Sequence, residues 1–311
     1  MEVILAIDGG GSRTRCLAVN QTGGTVSEAT TGPSNHLLVP MEVVVRSLRA
    51  AIEMTLTSGN LTASDVVCVS AGLAGVDYDG AGATEMAEVL NEFGFAQLVI
   101  NGDMVIAHAG ALAGRAGVVA LSGTGSCILG IGANGKRAKV GGWGPVYGDE
   151  GSAYQIGQMA LRAAAHSIDE RIGHTALVAE LTEAMGLKSF QETVRRVYVE
   201  GMEPREIAAL SQVVNTVAEA GDAIAIGILQ TAGAELAEAV VTALNRLSFG
   251  NKQPFVSYSG SVVQSCRLVR ESFKTMVEAK STASVIAPKF EPVIGAWLIG
   301  CDAVGWAPNV F

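Results

Sequence analysis

A strand, a glycine-rich turn and a second strand occur twice in this chain of 311 residues. The first copy covers residues 3–20 and has three glycines, at 9–11, in its turn. The second copy covers residues 117–131 and has Gly123 and Gly125 in its turn. Consecutive strands that are joined by short glycine turns form antiparallel meanders. The repeat therefore predicts two related lobes, with a boundary near residue 115.

The pattern of apolar residues assigns secondary structure to most of the remaining chain. The predicted strands are residues 3–7, 14–20, 25–30, 66–71, 97–101, 117–121, 127–131, 136–140 and 255–258. The predicted helices are residues 41–57, 84–93, 103–114, 261–277 and 292–304, with a mostly helical stretch over 152–249. Asn134-Gly135 predicts a type I′ hairpin turn. We therefore expect an α/β fold in which mixed sheets are flanked by helices and the second lobe carries a helical insertion.

The composition excludes several classes of protein. Hydrophobic residues make up 49% of the chain and charged residues 16%, which leaves enough apolar surface for buried cores and argues against disorder. A net charge of −9 argues against a protein that binds the backbone of DNA or RNA. The five cysteines are scattered, without the spacing of a zinc site or a disulfide framework.

We also expect a cytoplasmic protein that makes no contact with a membrane. The dispersed cysteines fit a reducing compartment. The chain opens on a strand-like segment rather than on a basic and apolar leader. The apolar run at residues 292–301 has about half of the roughly 20 residues that cross a bilayer.

The first glycine turn could hold phosphate groups. Residues 8–14 read Asp-Gly-Gly-Gly-Ser-Arg-Thr, and glycines allow several backbone N–H groups to point into one concavity. Ser12 and Arg13 add donors, and Asp8 at the strand end could hold Mg²⁺ through water. A glycine hairpin that binds no ligand explains the same residues equally well.

The second glycine turn repeats this arrangement. Residues 121–126 read Leu-Ser-Gly-Thr-Gly-Ser between two strands, so that two such turns could hold a triphosphate. A third turn, at Gly260 and Ser261, precedes a predicted helix whose first N–H groups could face a nucleotide. The sequence has no G-x-x-x-x-G-K-[ST] motif. A G-x-G-x-x-G pattern at residues 130–135 lies in the predicted hairpin, where it does not open a helix.

Three polar segments could bind a substrate or act on it. Asp103 stands between a strand and a helix, where it could be a general base or an N-cap. A glycine-rich loop contains Asp149 and Glu150, which could accept hydrogen bonds from sugar hydroxyls or stabilise the first turn of the next helix. Asn35 and His36 could bind a ligand or form a solvated turn.

Together these segments resemble the N-acetylglucosamine kinase group of the actin-like sugar-kinase superfamily, with its bacterial and archaeal hexokinase relatives. The motifs occur in family order over essentially the whole chain. They are DGGGSRTR at 8–15, SNH at 34–36, NGD at 101–103, SGTGS at 122–126, GGWG and GDEGSAY within 141–154, YSGSV at 258–262 and EPVIGAWLIG at 291–300. GGWG followed by GDEGSAY is specific to this branch, whereas DGGG is shared widely. Ser12 stands where the group often has Thr, which keeps a hydroxyl.

The resemblance implies an ATP-dependent kinase that phosphorylates a hexose or hexosamine, foremost N-acetylglucosamine to its 6-phosphate. It implies ATP and Mg²⁺ as cofactors, a small-molecule sugar as the other substrate, no nucleic-acid partner, and a homodimer. The fold that it implies has two actin-like, ribonuclease H-like lobes. Residues 1–115 form the first lobe and are joined by the C-terminal helix at about 292–311, and residues 116–291 form the second lobe.

The resemblance also implies roles for individual residues. Asp103 would be the catalytic base, and Asp8 would hold Mg²⁺ through water. The residues expected to bind the nucleotide are Gly10, Gly11, Ser12, Arg13, Thr124, Gly260 and Ser261. The residues expected to bind the sugar are Asn35, His36, Asp103, Thr124, Gly125, Gly144, Asp149 and Glu150.

Other functions share this nucleotide-binding fold. One alternative is a broad-specificity hexokinase, or a kinase for glucosamine or N-acetylmuramic acid. A second is the activator ATPase of a radical dehydratase, which holds an iron–sulfur cluster through cysteines at a dimer interface. No cysteine of this chain stands in a convincing cluster-binding loop. A non-catalytic sugar sensor is a third alternative, and it would be expected to lack the base at Asp103.

Overall fold

The structure is a computed structural model and describes residues 1–307. The chain divides into two compact units. One unit contains Met1–Ala116 and the chain from Ala287 onward, and the other contains Gly117–Ile286. Each unit has one five-stranded mixed sheet flanked by helices, so the predicted α/β class is confirmed. Residues 308–311, which the predicted first lobe includes, lie outside the described part of the chain.

Most predicted elements are present, with small shifts at their ends. The strands are β1 (Val3–Gly9), β2 (Thr14–Asn20), β3 (Thr25–Thr31), β4 (Val66–Leu73), β5 (Leu98–Gly102), β6 (Gly117–Ser122), β7 (Ser126–Ile131), β8 (Arg137–Gly141), β9 (Phe255–Ser259) and β10 (Ser284–Val285). The helices are α1 (Met41–Ser58), α2 (Ala83–Asn91), α3 (Asp103–Leu112), α4 (Ala153–Ile168), α5 (Leu177–Ala184), α6 (Thr193–Tyr198), α7 (Pro204–Glu219), α8 (Ala223–Asn245), α9 (Ser261–Ser265), α10 (Arg267–Lys280) and α11 (Pro292–Val304). Short 3₁₀ helices lie at Ala63–Asp65 and Phe190–Glu192.

The sheet of the first unit has the order β3-β2-β1-β4-β5. The first three strands form an antiparallel meander, and β4 and β5 continue the sheet parallel to β1. Successive side chains of β1 point to opposite faces. Val3, Leu5 and Ile7 pack in the core that includes α1 and α2, whereas Ile4 and Ala6 pack in the core that includes α3 and α11. The carboxyl ends of β1, β4 and β5 therefore meet at one edge of a sheet that is covered on both faces.

Two glycines let α3 and α11 touch backbone to backbone. A Cβ atom on Gly295 would overlap the carbonyl oxygen of Ile106, and one on Gly110 would lie 2.5 Å from the carbonyl oxygen of Glu291. Neither glycine has a positive φ, so close approach is the reason for these glycines. This contact fixes the last helix against the first unit.

The sheet of the second unit has the order β10-β9-β6-β7-β8. Its meander of β6, β7 and β8 is antiparallel, and β9 and β10 extend it in parallel. Side chains of α8 and α10 pack with the sheet in one core, and side chains of α4, α5, α7 and α8 form a second core. The second core belongs to the predicted helical insertion.

Two local predictions are wrong. The helix expected over 261–277 is two helices, because Cys266 has an extended backbone at φ −89° and ψ 107°. The guanidinium of Arg270 donates to the carbonyl oxygens of Val263 and Gln264, which the break leaves without helical partners. The hairpin between β7 and β8 exists, but only Gly135 of the Asn134-Gly135 pair has a positive φ, which excludes a type I′ turn. The Asn134 side chain instead accepts from the N–H of Lys136.

Among the described residues, one helix is long and apolar enough to cross a membrane, by length and composition alone. That helix is α8, and its buried residues contribute to both cores of the second unit. A core helix of a globular protein passes the same test, so α8 is explained by the packing of this unit.

Candidate active site

Two carboxylates lie at the carboxyl edge of the first sheet. Asp8 of β1 is in register with Gly72 of β4, and Gly72 is in register with Asn101 of β5. Asp103 opens α3 directly after β5. Burial and the nearby Asp103 carboxylate raise the pKa of Asp8 to about 6, although Arg13 and Arg15 lower it. Asp8 is therefore a largely desolvated carboxyl group that has both a carboxylate and two guanidinium groups nearby.

The backbone of the first glycine turn is held from two sides. The carbonyl oxygen of Gly9 accepts from the N–H of Ala74 at 2.7 Å, and that of Gly10 accepts from the N–H of Ser34 at 3.0 Å. The N–H of Gly10 closes the turn on the carbonyl oxygen of Arg13 at 2.8 Å. A Cβ atom on Gly9 would overlap the Ser34 hydroxyl, so close approach explains this glycine.

The tip of this turn is exposed and offers donors. Gly11, Ser12 and Arg13 are exposed, and their N–H groups donate to no other described residue. Gly10 is partly buried behind them. Adjacent N–H groups without internal acceptors form a concavity that suits an anion.

Asn35 and His36 belong to a loop that packs on the loop after β4. A Cβ atom on Gly75 would lie 2.7 Å from two ring atoms of His36 and 3.0 Å from Oδ1 of Asn35. The Nδ1 atom of His36 is buried and has no hydrogen-bond partner among the described residues. Asn35 uses Oδ1 to accept from the N–H of Leu37 at 3.0 Å, which leaves its amide nitrogen for other contacts.

The loop after β4 also reaches the start of α3. A Cβ atom on Gly102 would overlap the carbonyl oxygen of Val76. Gly102 is the N-cap of α3, and Asp103 is the first helical residue, so the N-cap role considered for Asp103 is wrong. One carboxylate oxygen of Asp103 accepts from the N–H of Met104 at 2.8 Å.

The turn between β6 and β7 is oriented by the N-terminus of α4. The carbonyl oxygens of Gly123 and Thr124 accept from the N–H groups of Ala153 and Tyr154, at 2.9 and 3.2 Å. In a trans peptide the C=O and the next N–H point in opposite directions. The N–H groups of Thr124 and Gly125 therefore point away from α4, and they donate to no other described residue. This turn, too, presents adjacent donors to an anion.

Asp149 fastens the loop before α4 to this turn. Its Oδ1 accepts from the N–H of Ser126 at 3.2 Å, and a Cβ atom on Gly125 would lie 2.8 Å from its Oδ2. Burial raises the pKa of Asp149, the N–H of Ser126 lowers it and Glu150 raises it, so the net shift is upward. Asp149 is only 7% exposed and has a left-handed φ of 62°. The Glu150 side chain is exposed, and its backbone carbonyl oxygen accepts from the Ser126 hydroxyl at 2.7 Å.

The third glycine turn packs on the second. A Cβ atom on Gly260 would overlap the carbonyl oxygen of Ser122, and Gly260 has a φ of 98° that favours glycine. Ser261 borders an open cavity of about 260 Å³ that residues of α4, α7, α8 and α9 line. Its polar lining comes from α7 and α9: Ser211, Gln212, Asn215, Thr216, Ser261 and Ser265.

Residues 5–300 match the BadF/BadG/BcrA/BcrD ATPase family. The chain belongs to this family. An N-acetylmuramic acid/N-acetylglucosamine kinase from Clostridium acetobutylicum is 31% identical over 97% of this chain and 100% of its own length. An N-acetyl-D-glucosamine kinase from Dictyostelium discoideum is 26% identical over 97% of this chain and 98% of its own length. The crystal structure of a protein assigned as an N-acetylglucosamine kinase from Chromobacterium violaceum has a TM-score of 0.78 at 23% identity and covers 96% of this chain and 98% of its own. This last likeness shows the fold.

The structure brings most of the predicted site residues of this ATPase-family chain together in two groups, one in each unit. The first group contains Asp8, Gly10, Gly11, Ser12, Arg13, Asn35, His36 and Asp103, and the second contains Thr124, Gly125, Asp149, Glu150, Gly260 and Ser261. Gly144 lies in the loop between β8 and α4. Its carbonyl oxygen accepts from the N–H of Gly148, and a Cβ atom there would meet no atom within 4 Å.

Several residues of the site were missed from the sequence of this ATPase-family chain. Ser34 accepts from the Thr14 hydroxyl at 2.8 Å and supports the first turn, and Gln155 supports the loop that Asp149 occupies. The polar residues of α7 that line the cavity were also missed. Their spacing along a helix, with pairs at 211–212 and 215–216, places them on one face, which was the available signal.

Proposed function

We propose that this protein transfers the γ-phosphate of ATP to the 6-hydroxyl of N-acetylglucosamine. Membership of an ATPase family and full-length similarity to amino-sugar kinases identify an ATP-dependent sugar kinase. The observation that carries the proposal is the pair of carboxylates, Asp8 and Asp103, beside an exposed glycine turn. The Asp8 carboxylate suits the binding of a metal–phosphate complex. The Asp103 carboxylate suits the acceptance of a proton from a hydroxyl group.

Asp8 fits a role toward Mg²⁺. Its pKa is raised by burial and by Asp103, so a cation at this site would relieve an unfavourable charge. No three His, Cys, Asp or Glu side chains within residues 1–307 form a group that could hold a metal ion. Phosphate oxygens and water would therefore supply the remaining ligands, and Asp8 would act through water. Bound Mg²⁺ would neutralise charge on the transferred phosphate.

The backbone donors support a role in binding the phosphates. In the first unit these are the N–H groups of Gly11, Ser12 and Arg13, behind which Gly10 holds the turn closed. In the second unit they are the N–H groups of Thr124 and Gly125.

The adenosine is proposed to lie near Gly260 and Ser261. Ser261 lines the cavity of about 260 Å³, and its neighbours there include Asn215 of α7. Amide side chains can donate and accept together, as the edge of a nucleobase requires.

Asp103 is proposed to accept the proton of the attacking hydroxyl. Further contacts to the sugar are proposed for these residues: Asn35, His36, Thr124, Gly125, Gly144, Asp149 and Glu150. Oδ1 of Asp149 already accepts from Ser126, so a sugar hydroxyl would use Oδ2. The buried Nδ1 of His36 has capacity for one more hydrogen bond.

A coupled assay of ADP release over a panel of sugars tests this function. We expect N-acetylglucosamine to give the highest kcat/KM, and N-acetylmuramic acid is the second candidate because the relative from Clostridium acetobutylicum is named for both sugars. Glucosamine, glucose and N-acetylmannosamine complete the panel. A rate of ADP release that no sugar raises above the background would contradict the proposal.

The cysteines oppose the alternative of an activator ATPase. All five are buried, and burial raises the pKa of Cys16 and of Cys301 to about 12. A cluster that is shared across a dimer interface needs cysteine side chains at the surface, which none of the five provides. The homodimer and the cytoplasmic location stay predictions. Light scattering of the purified protein tests the first, and cell fractionation tests the second.

A further inference from the structure

We propose that Gln155 is a positioning residue of the kinase site, and that it acts through Gly151 on the turn at residues 123–125. The inference rests on the proposed function, because that function gives the turn its task. Gln155 lies in the first turn of α4, and its side chain makes hydrogen bonds to the loop before the helix and to α8.

Both peptide groups of Gly151 form hydrogen bonds. Its N–H donates to Oε1 of Gln155 at 2.6 Å, and its carbonyl oxygen accepts from the buried Ser122 hydroxyl at 2.6 Å. Its φ of 76° and its contact with α8, where a Cβ atom would lie 2.6 Å from the carbonyl oxygen of Ala232, leave no space for a side chain. Gly151 is thus the point at which the loop is attached to the body of the unit.

Glu235 of α8 fixes the direction of the Gln155 amide. Nε2 of Gln155 donates to Oε2 of Glu235 at 2.5 Å. A carboxylate only accepts, so the amide must turn its nitrogen toward α8 and its oxygen toward Gly151. The backbone N–H of Gln155 also donates to the Ser152 hydroxyl, which caps α4.

A displacement of Gly151 would also displace the turn at residues 123–125. The preceding residues Asp149 and Glu150 both accept hydrogen bonds from Ser126, which ends the turn, and Ser122 precedes the turn and bonds Gly151 itself. The turn is therefore clamped by the loop on both sides. The directions of the Thr124 and Gly125 N–H groups therefore depend on this clamp together with the hydrogen bonds from Ala153 and Tyr154.

Exchanging the two side chains provides a sharp test. Q155E places two carboxylates where a hydrogen bond of 2.5 Å now stands, and their repulsion should displace the side chain from Gly151. In the double variant Q155E/E235Q, the carboxylate and the amide change places. The carboxylate can still accept from Gly151 and now also accepts from the new amide. The composition and the net charge of this double variant equal those of the wild type.

We expect Q155E to lower kcat by about tenfold or more, because small misplacements of positioned groups cost rates of this order. We expect it to weaken binding of Mg²⁺·ADP, measured by calorimetry. E235Q, which keeps the bond to Gln155, and the double variant should both stay within about twofold of wild type. Melting temperatures are recorded for every variant, and the assays are run far below them. A merely structural role would lower the melting temperature and leave kcat unchanged.

Normal kcat and normal ADP affinity in Q155E would overturn the proposal, as would a double variant that is as impaired as Q155E. If Q155E does not fold, Gln155→Met removes the same hydrogen bonds without adding a charge and takes its place. If the wild type phosphorylates no sugar of the panel, the proposed function fails, but the titrations with Mg²⁺·ADP still decide whether Gln155 positions the turn.

Discussion

At the scale of the residue, helix α3 begins without the help of the Asp103 side chain as an N-cap. Gly102 occupies the N-cap position, so its backbone, and not the Asp103 carboxylate, sets the start of the helix. The carboxylate lies close enough to Asp8 to raise the pKa of that residue. A charge placed beside another charge is unfavourable for folding, which favours a functional reason for Asp103.

Asp103→Asn should lower kcat by about 10²-fold or more, because it keeps the size of the side chain and removes the base. The affinity for the sugar and the melting temperature should change little. Steady-state kinetics over the best sugar of the panel measure the effect. Asp302→Asn, at an exposed site on α11, is the matched control and should have normal kinetics. A near-normal kcat in Asp103→Asn would exclude the general-base role.

The raised pKa of Asp8 predicts that a proton is released when Mg²⁺·ADP binds. A cation lowers the pKa of a nearby carboxyl group, and near pH 6 a large fraction of Asp8 is protonated beforehand. Calorimetry at pH 6 in two buffers of different ionisation enthalpy should report proton release, which should fade by pH 8 and vanish in Asp8→Asn. Binding enthalpies that are equal in both buffers at pH 6 would count against this prediction.

The raised pKa of Asp8 also affects the stability of the folded protein. The folded-state pKa of Asp8 lies above its ordinary value, so ionisation of Asp8 opposes folding. The free energy of unfolding contributed by this residue therefore falls as pH rises from about 4 to about 6 and stays low above that range. In the absence of ligand, Asp8→Asn should be more stable than wild type at pH 7.5.

The sequence located the glycine turns but not the conformations around them. Asp149 was predicted to bind a sugar, but the sequence did not indicate that its carboxylate is also buried and bonded to Ser126. Its left-handed backbone depends on contacts with β7 that are distant in sequence, which local patterns do not encode. Asp8 and Asp103 were singled out as residues at strand ends, but their shared edge of the sheet follows from the parallel pairing of β1, β4 and β5, which the sequence analysis did not predict.

At the scale of the element, the crossing of α3 and α11 depends on the absence of two side chains. Gly110 and Gly295 stand where a Cβ atom would meet the backbone of the other helix. Both helices were predicted from composition, α3 as an Ala-rich segment and α11 as an apolar one, which requires only the residues of each segment. Their contact could not be predicted, because the two segments lie far apart along the chain. The break at Cys266 is a different case, because Arg270, only one turn later, satisfies the carbonyl groups that the break exposes.

Gly295→Ala should lower the free energy of unfolding by about 3 kcal/mol, since the added methyl group must push two backbones apart. Urea denaturation measures the change. Gly227→Ala in α8 is the control, because a Cβ atom there would meet no atom within 4 Å. That control should raise the stability by about 0.5–1 kcal/mol through helix propensity. Equal effects of the two substitutions would show that the helices do not need close contact.

At the scale of the whole molecule, the second unit is continuous in sequence and the first is not. The second unit also begins and ends in one place: Gly117 and Ser284 both pair with Phe255, on opposite sides of β9. Its two cores are formed by its own residues. The first unit needs α11, which covers one face of its sheet.

A fragment of residues 117–286 should therefore fold alone, with a cooperative thermal transition by circular dichroism. A fragment of residues 1–116 should aggregate, because the face with Ile4 and Ala6 would lose its cover. Adding α11 to the fragment of residues 1–116 through a flexible linker should restore its solubility. Cooperative folding of residues 1–116 without α11 would contradict this account.

The return of α11 to the first unit also sets an order of events during synthesis. A ribosome releases the whole of residues 117–286 before it releases the helix that the first sheet requires. The first unit is therefore synthesised first and completed last. One apolar face of its sheet stays uncovered during the time in which the second unit can already fold. For this chain, a chaperone that shields the nascent segment would be needed most at the N-terminal side.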